Sequence, residues 1–408
     1  MKRTLITNIG MLATPQGTSA RGGRAQGEIC ILKNAWILIE NDVIAQVGTG
    51  AAPAAADAQT INAGGKLVTP GLVDAHTHLI FGGWRQNELA LKLHGAGYLD
   101  ILAAGGGILS TMRATQSASE EQLEAKASAA LDEMLRFGTT TAEAKSGYGL
   151  STGEECKALR VIGKLQKHHV MDLAATFMGA HAVPEAYRDN RQGYLELLCE
   201  EMLPAVREQG IAEFCDVFCE KGVFSAEESR RILLTGRQHG LRPKIHADEI
   251  EAIGGSELAG EIGAVSAEHL IVCPPSGIAS MAEGGTVACC LPATSFYLGA
   301  AYAPVQDMVQ AGVPVAMATD FNPGSCPCLN MQLVISLGCL RYRLTPEQAL
   351  TAVTLNGAAA ICRADRIGSI EPGKQADILI WNAEDLDYIC YRLGSNLVDT
   401  VIKKGNVV

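Results

Sequence analysis

PGLVDAHTHL, residues 70–79, is a short apolar run that ends in two histidines one residue apart. In an extended strand, residues two apart project from the same face, so His76 and His78 point the same way. Two neutral imidazoles on one face can grip a divalent cation at about 2.0–2.1 Å each. Alone the pattern is weak, because polar residues are common where a strand meets its loop. It gains weight if the strand belongs to a parallel β/α barrel, since such a barrel builds its site at the C-terminal ends of its strands. The fold therefore turns on whether seven more strands of this kind follow.

They do. The eight strand candidates are Leu67–Asp74, Thr139–Ala144, Met171–Met178, Glu213–Cys219, Pro243–Ala247, Ala264–His269, Thr286–Leu291 and Val313–Thr319. Amphipathic helices separate several of them. Ser119 with Gln122, Ser225 with Glu228, and Thr345 with Gln348 have the spacing of capping boxes. Thr345 also precedes Pro346, and proline suits the first helical position. Near-continuous apolar strands alternating with helices predict an α/β fold, a closed (β/α)8 TIM-like barrel. A doubly wound open sheet would place a Gly-rich phosphate turn after its first strand, and no GxGxxG is present.

The two ends of the chain read differently. ICILKNAWILIENDVIAQVG (29–48) and IGSIEPGKQADILIWNAED (367–385) are short strands broken by turn residues. Residues 1–65 and 364–408 are expected to pair into one small, discontinuous β-sandwich domain, with the catalytic barrel over 66–363. The net charge of −11, with no Lys/Arg block, argues against nucleic acid as a partner. No stretch approaches the roughly 18 apolar residues of a membrane span. Thirteen cysteines, an odd count set mostly in apolar runs, point with the absence of a signal sequence to a reducing cytoplasm.

The strand ends carry the chemistry. Besides His76 and His78, the third strand reaches His181, the fifth ends in His246 with Glu249 just beyond, the sixth ends in His269, and the eighth leads to Asp320. Five of the nine histidines and one aspartate thus converge on a single rim. The bland alternative needs five satisfied core histidines to fall there by chance.

Seven segments now carry a resemblance: PGLVDAHTHLIFGGWR (70–85), AGGGILSTMRAT (104–115), AEAKSGYGL (142–150), TFMGAHAVPEAY (176–187), KIHADEI (244–250), SAEHL (266–270) and ATDFNPGSCP (318–327). Together they make the chain similar to the amidohydrolase superfamily over essentially its whole length. The resemblance implies one zinc or iron ion per chain, held by His76, His78, His246 and Asp320. It also implies a metal-activated water that opens a small anionic heterocycle, an imidazolone bearing a propionate. Relatives with two metals bridge them through a carboxylated lysine ending the fourth strand. Here that strand ends Phe218-Cys219-Glu220-Lys221, with no lysine at the bridging place. Lys145, in the loop after the second strand, reads as structural, so a single ion is expected.

His269 and Glu249 are the candidates for moving protons, with Asp320 acting as both ligand and catalytic carboxylate. Glu249 is also expected at the ring nitrogens. Arg85 offers a bidentate fork for the substrate carboxylate. By resemblance Tyr98, Tyr148, His181, Asn322, Gly324 and Ser325 complete the substrate contacts, and the chain forms a homodimer. The competing readings are an aminohydrolase or cyclic amidase on another heterocycle, and a non-catalytic barrel that binds without turnover. The first would want a neutral pocket, and the second would have lost metal ligands.

Overall fold

The computed structural model describes residues 2–54, 57–94 and 106–408. Eight parallel strands follow one another around a barrel in chain order. They are Leu72–Asp74, Thr139–Lys145, Asp172–Ala180, Phe214–Cys219, Arg242–Ala247, Ser266–His269, Val287–Cys290 and Val315–Met317. Just beyond the eighth strand, Phe321 bridges in parallel to Thr77. The amide of His78 donates to Phe321 O at 2.9 Å and that of Asp320 to His76 O at 3.1 Å. Asp74 reinforces the seam, accepting from the Thr319 amide at 3.0 Å and its hydroxyl at 2.6 Å. The ring thus closes on the segments that carry candidate ligands.

The helices cover the barrel through the faces their periodicity marks. In Glu120–Arg136 the buried residues are Leu123, Ala127, Leu131 and Met134, at helical spacing. All three expected capping boxes form, at Ser119, Ser225 and Thr345.

The two ends of the chain share a second, mixed sheet of eight strands. Its long strand Arg3–Thr14 runs antiparallel to Cys30–Glu40 and parallel to Gln59–Asn62 and Leu67–Pro70. Ile378–Trp381 and Val398–Lys403 extend it from the C-terminal side. Ile6, Ile9, Ile37, Ile44, Ile378 and Ile402 form part of its own core.

One expectation needs correcting here. The stretch Leu67–Asp74 is two strands, not one. Leu67–Pro70 pairs in the flanking sheet, and only Leu72–Asp74 enters the barrel. Gly71 makes the transfer: its amide donates to Asp377 O, and a Cβ there would lie 2.3 Å from Thr140 Oγ1. Apolar patterning is continuous across the change of sheet, so it hides the break. All thirteen cysteines are free thiols. Among the described residues, no helix is long and apolar enough to cross a membrane.

Candidate active site

His76 and His78 lie just past the first barrel strand, His246 within the fifth, His269 at the end of the sixth and Asp320 after the eighth. His269 and Asp320 adopt left-handed backbone angles, φ 71° and 57°. Side-chain-bearing residues rarely adopt this conformation, and it costs of order 1–3 kcal/mol, so the barrel must hold both in place.

The nitrogens and oxygens that face one another have a common spacing. His246 Nε2 lies 3.3 Å from His78 Nε2, and Asp320 Oδ1 lies 3.4 Å from His76 Nε2 and 3.6 Å from His78 Nε2. Donors about 2.0–2.1 Å from the centre of a tetrahedron are about 3.3–3.4 Å apart along its edges. Two of the three outer nitrogens are claimed by carboxylates: His246 Nδ1 donates to Asp216 at 3.1 Å, and His76 Nδ1 donates to Glu268, while His78 Nδ1 has no hydrogen-bond partner among the described residues. This fixes the tautomer and leaves bare lone pairs on both Nε2 atoms. His76 Nε2 is buried without a hydrogen-bond partner among the described residues.

Electrostatics agree with this. Burial pushes His76 and His78 well below the ordinary imidazole range and takes His246 down to about 3. Three neutral imidazoles and a carboxylate are the form in which these groups bind a metal. The donor set therefore fits a divalent cation.

Beneath these donors lies a layer of buried charge. Lys145 Nζ sits 2.8 Å from Glu143, 2.7 Å from Asp216 and 3.2 Å from Glu268. Lys244 Nζ sits 2.9 Å from Glu143 and 3.1 Å from Glu268. Lys145 is the last residue of the second strand and fully buried, not a loop residue as expected. Lys221, past the fourth strand, instead turns outward and pairs with Glu251 at 2.8 Å.

The proton-handling candidates are neighbours. His269 Nε2 lies 3.7 Å from Glu249 Oε2, and its ring centroid is 5.1 Å from that of His246. Burial lowers the His269 pKa, while burial and then the nearby Glu220 carboxylate push Glu249 up to about 7. Glu220 also accepts the amides of Ile250 and Glu251 at 2.9 and 3.1 Å, fixing the turn after Glu249.

The candidate substrate residues form two contact groups, one around His181 and one around Gly324. The His181 ring stacks on His78 at 4.7 Å, and Tyr148 lies 5.1 Å from His181. His181 Nδ1 donates to Gly147 O at 3.0 Å, and burial lowers its pKa to about 4, so it is neutral. Arg85 packs against Gly324 so closely that a Cβ there would lie 2.1 Å from its Nη1. A side chain at 324 would therefore have to push the guanidinium aside. Asn322 shapes its own loop: its Oδ1 accepts from the Gly324 and Ser325 amides, and its Nδ2 donates to Ser325 Oγ. Tyr98 lies outside the described residues.

Several supporting residues escaped the sequence reading. Glu88 grips Arg85 through Nε at 3.0 Å and Nη2 at 2.9 Å and accepts from the Gly107 amide at 2.7 Å. Glu155 accepts from the amides of Gly147, Gly149 and Leu150 at 2.8–3.0 Å, holding the loop that carries Tyr148. Thr294 donates to Asp320. One signal was available for the charged layer. Lys244 stands two residues before His246, and Glu143 two before Lys145, so period two places each pair on the same inner face.

The Amidohydrolase family model matches residues 67–408. The chain is 50% identical over 414 residues to an imidazolonepropionase of Alkaliphilus metalliredigens, covering 100% of this chain and 98% of that one. It is 48% identical over 410 residues to an imidazolonepropionase of Bacillus cereus strain G9842, covering 100% and 97%. Among solved structures it resembles a zinc-bound adenosine deaminase from Xanthomonas campestris (TM-score 0.71, 21% identity, covering 99% and 92%). A triazine hydrolase from Arthobacter aurescens is also similar (TM-score 0.74, 18% identity, covering 100% and 94%). At those identities the structures speak for the fold alone. The family match and the full-length relatives go further: this chain belongs to the amidohydrolase family.

Proposed function

We propose that the chain hydrolyses 4-imidazolone-5-propanoate to N-formimidoyl-L-glutamate, opening the ring at its cyclic amide C–N bond. The observation that carries the reading is the set of 3.3–3.6 Å edges among His76 Nε2, His78 Nε2, His246 Nε2 and Asp320 Oδ1. These four residues would hold one zinc or iron ion, since imidazole and carboxylate donors suit both. Once bound, the ion supplies Lewis acidity, lowering the pKa of a water and drawing electron density from the ring carbonyl.

The chain's own groups do the rest. His269, kept neutral by burial, accepts the proton of the attacking water. Glu249, whose acid form persists to about pH 7, donates a hydrogen bond to a ring nitrogen and aligns the heterocycle. When the C–N bond breaks, the departing nitrogen takes up the proton that water released. Arg85, whose charge is felt at Tyr148, supplies a cation for the propionate. Asn322 holds the loop in which Gly324 and Ser325 meet the substrate's polar atoms. The names of the full-length relatives support the same substrate.

The test is turnover of freshly generated imidazolonepropionate beside aminopurine and aminopyrimidine substrates. Ring opening without ammonia release is expected. Ammonia from an aminopurine, with the imidazolone untouched, would favour the aminohydrolase alternative.

A further inference from the structure

The buried ammonium of Lys145 lies between the two carboxylates that orient the metal-facing imidazoles. It contacts Asp216 at 2.7 Å and Glu268 at 3.2 Å. Asp216 holds His246 Nδ1 at 3.1 Å, and Glu268 holds His76 Nδ1. Lys244 reaches Glu143 and Glu268 and donates to Ala75 O. Among the described residues, Lys145 is therefore the cation that joins Asp216 to Glu268.

The same place has the makings of a second cation site. Atoms of His76, Glu143 and Glu268 come within 4.8 Å of one another, as do atoms of Asp216, His246 and Glu268. Three carboxylates against two ammonium groups leave one net negative charge, and deleting Lys145 would leave two. Buried carboxylates without a countercharge attract a cation or a proton.

We propose that Lys145 is a positioning residue that acts as a built-in substitute for a second metal ion. It holds Asp216 and Glu268 so that His246 and His76 turn Nε2 toward one ion, and its charge keeps another ion from entering. The inference rests on the metal reading above.

The test compares Lys145→Met with Lys244→Met, each of which deletes one buried ammonium with little change in length. Zinc affinity is read by competition with a chromophoric chelator, ion number by equilibrium dialysis, and ligand geometry by the Co2+ absorption spectrum. The parent should bind one ion. Lys145→Met should bind it roughly 10–100-fold more weakly, the range seen when groups orienting metal ligands are lost. Its Co2+ spectrum should also change, and it should take a second ion when metal is in excess. Lys244→Met should lose less affinity and keep a single site.

Parent-like affinity with one ion in Lys145→Met, or equal losses in the two variants, overturns the inference. If Lys145→Met does not fold, Lys145→Arg displaces the charge without removing it. Weakened binding of a single ion then supports the proposal, and parent-like affinity overturns it. A parent chain that binds no ion would sink the metal reading itself and this inference with it, a result visible before any variant is made.

Discussion

Thr294 donates its hydroxyl proton to Asp320 Oδ2 at 2.7 Å, leaving Oδ1 at 3.4 Å from His76 and 3.6 Å from His78. The threonine stands in the short helix Pro292–Leu298, after the seventh strand, so it fixes a carboxylate contributed by the eighth. Thr294→Val keeps the shape and removes the donor, leaving a buried oxygen unsatisfied at a cost of about 1–3 kcal/mol. Metal affinity should fall by roughly tenfold, as for other groups that orient ligands. Chelator competition measures it, and unchanged affinity would show that Asp320 needs no such partner.

The Glu249–His269 pair makes a pH prediction. Burial pushes Glu249 up to about 7, so its acid form dominates below that pH and disappears above it. If the acid form donates to the substrate ring, kcat/KM falls as pH rises through about 7. Glu249→Gln is a neutral donor at every pH, and its profile should lose that limb. Persistence of the limb would assign it to another group. His269→Ala should cut kcat by roughly 10²–10⁴-fold with the metal still bound, the usual worth of a general base.

Much of this site was readable in advance because barrels make strand ends chemical. The spacing of His76 and His78, and the placement of His246, His269 and Asp320 after apolar runs, needed only periodicities of two and 3.6. Other features were invisible for physical reasons. Gly71 passes the chain between sheets without changing hydrophobicity, so Leu67–Asp74 looked like one strand. Lys145 looked like a loop residue because a charged side chain in a buried strand is unusual. It is tolerated here only because Glu143, Asp216 and Glu268 surround it. Glu88, Glu155 and Thr294 act across the fold, and no local pattern marks such partnerships.

Arg85 is held by Glu88 through Nε and Nη2, while Nη1 lies over Gly324. A charged hydrogen bond of this kind is worth about 1.5–3 kcal/mol, or roughly 10–100-fold in binding. Arg85→Ala should therefore raise KM by that factor and leave kcat within a few-fold. On an analogue with an uncharged side chain, the variant and the parent should converge. An equal penalty on both substrates would mean that Arg85 serves the fold, not the carboxylate.

Glu155 organises the loop of Tyr148 through three backbone amides. Glu155→Gln replaces an acceptor carboxylate with an amide that has a single acceptor oxygen, costing about 1–3 kcal/mol if one amide is stranded. The melting temperature should drop and KM should rise, because Tyr148 loses its setting. A lower melting temperature with unchanged KM would separate the loop from substrate binding.

The central claim is that His76, His78, His246 and Asp320 share one catalytic ion. It is tested most directly by measuring metal content and imidazolone turnover on the same sample before chelation, after it, and after adding back one equivalent of zinc or iron. The account predicts one ion per chain at the start, loss of turnover when the ion leaves, and recovery when it returns. Undiminished turnover in a sample stripped of metal would contradict it.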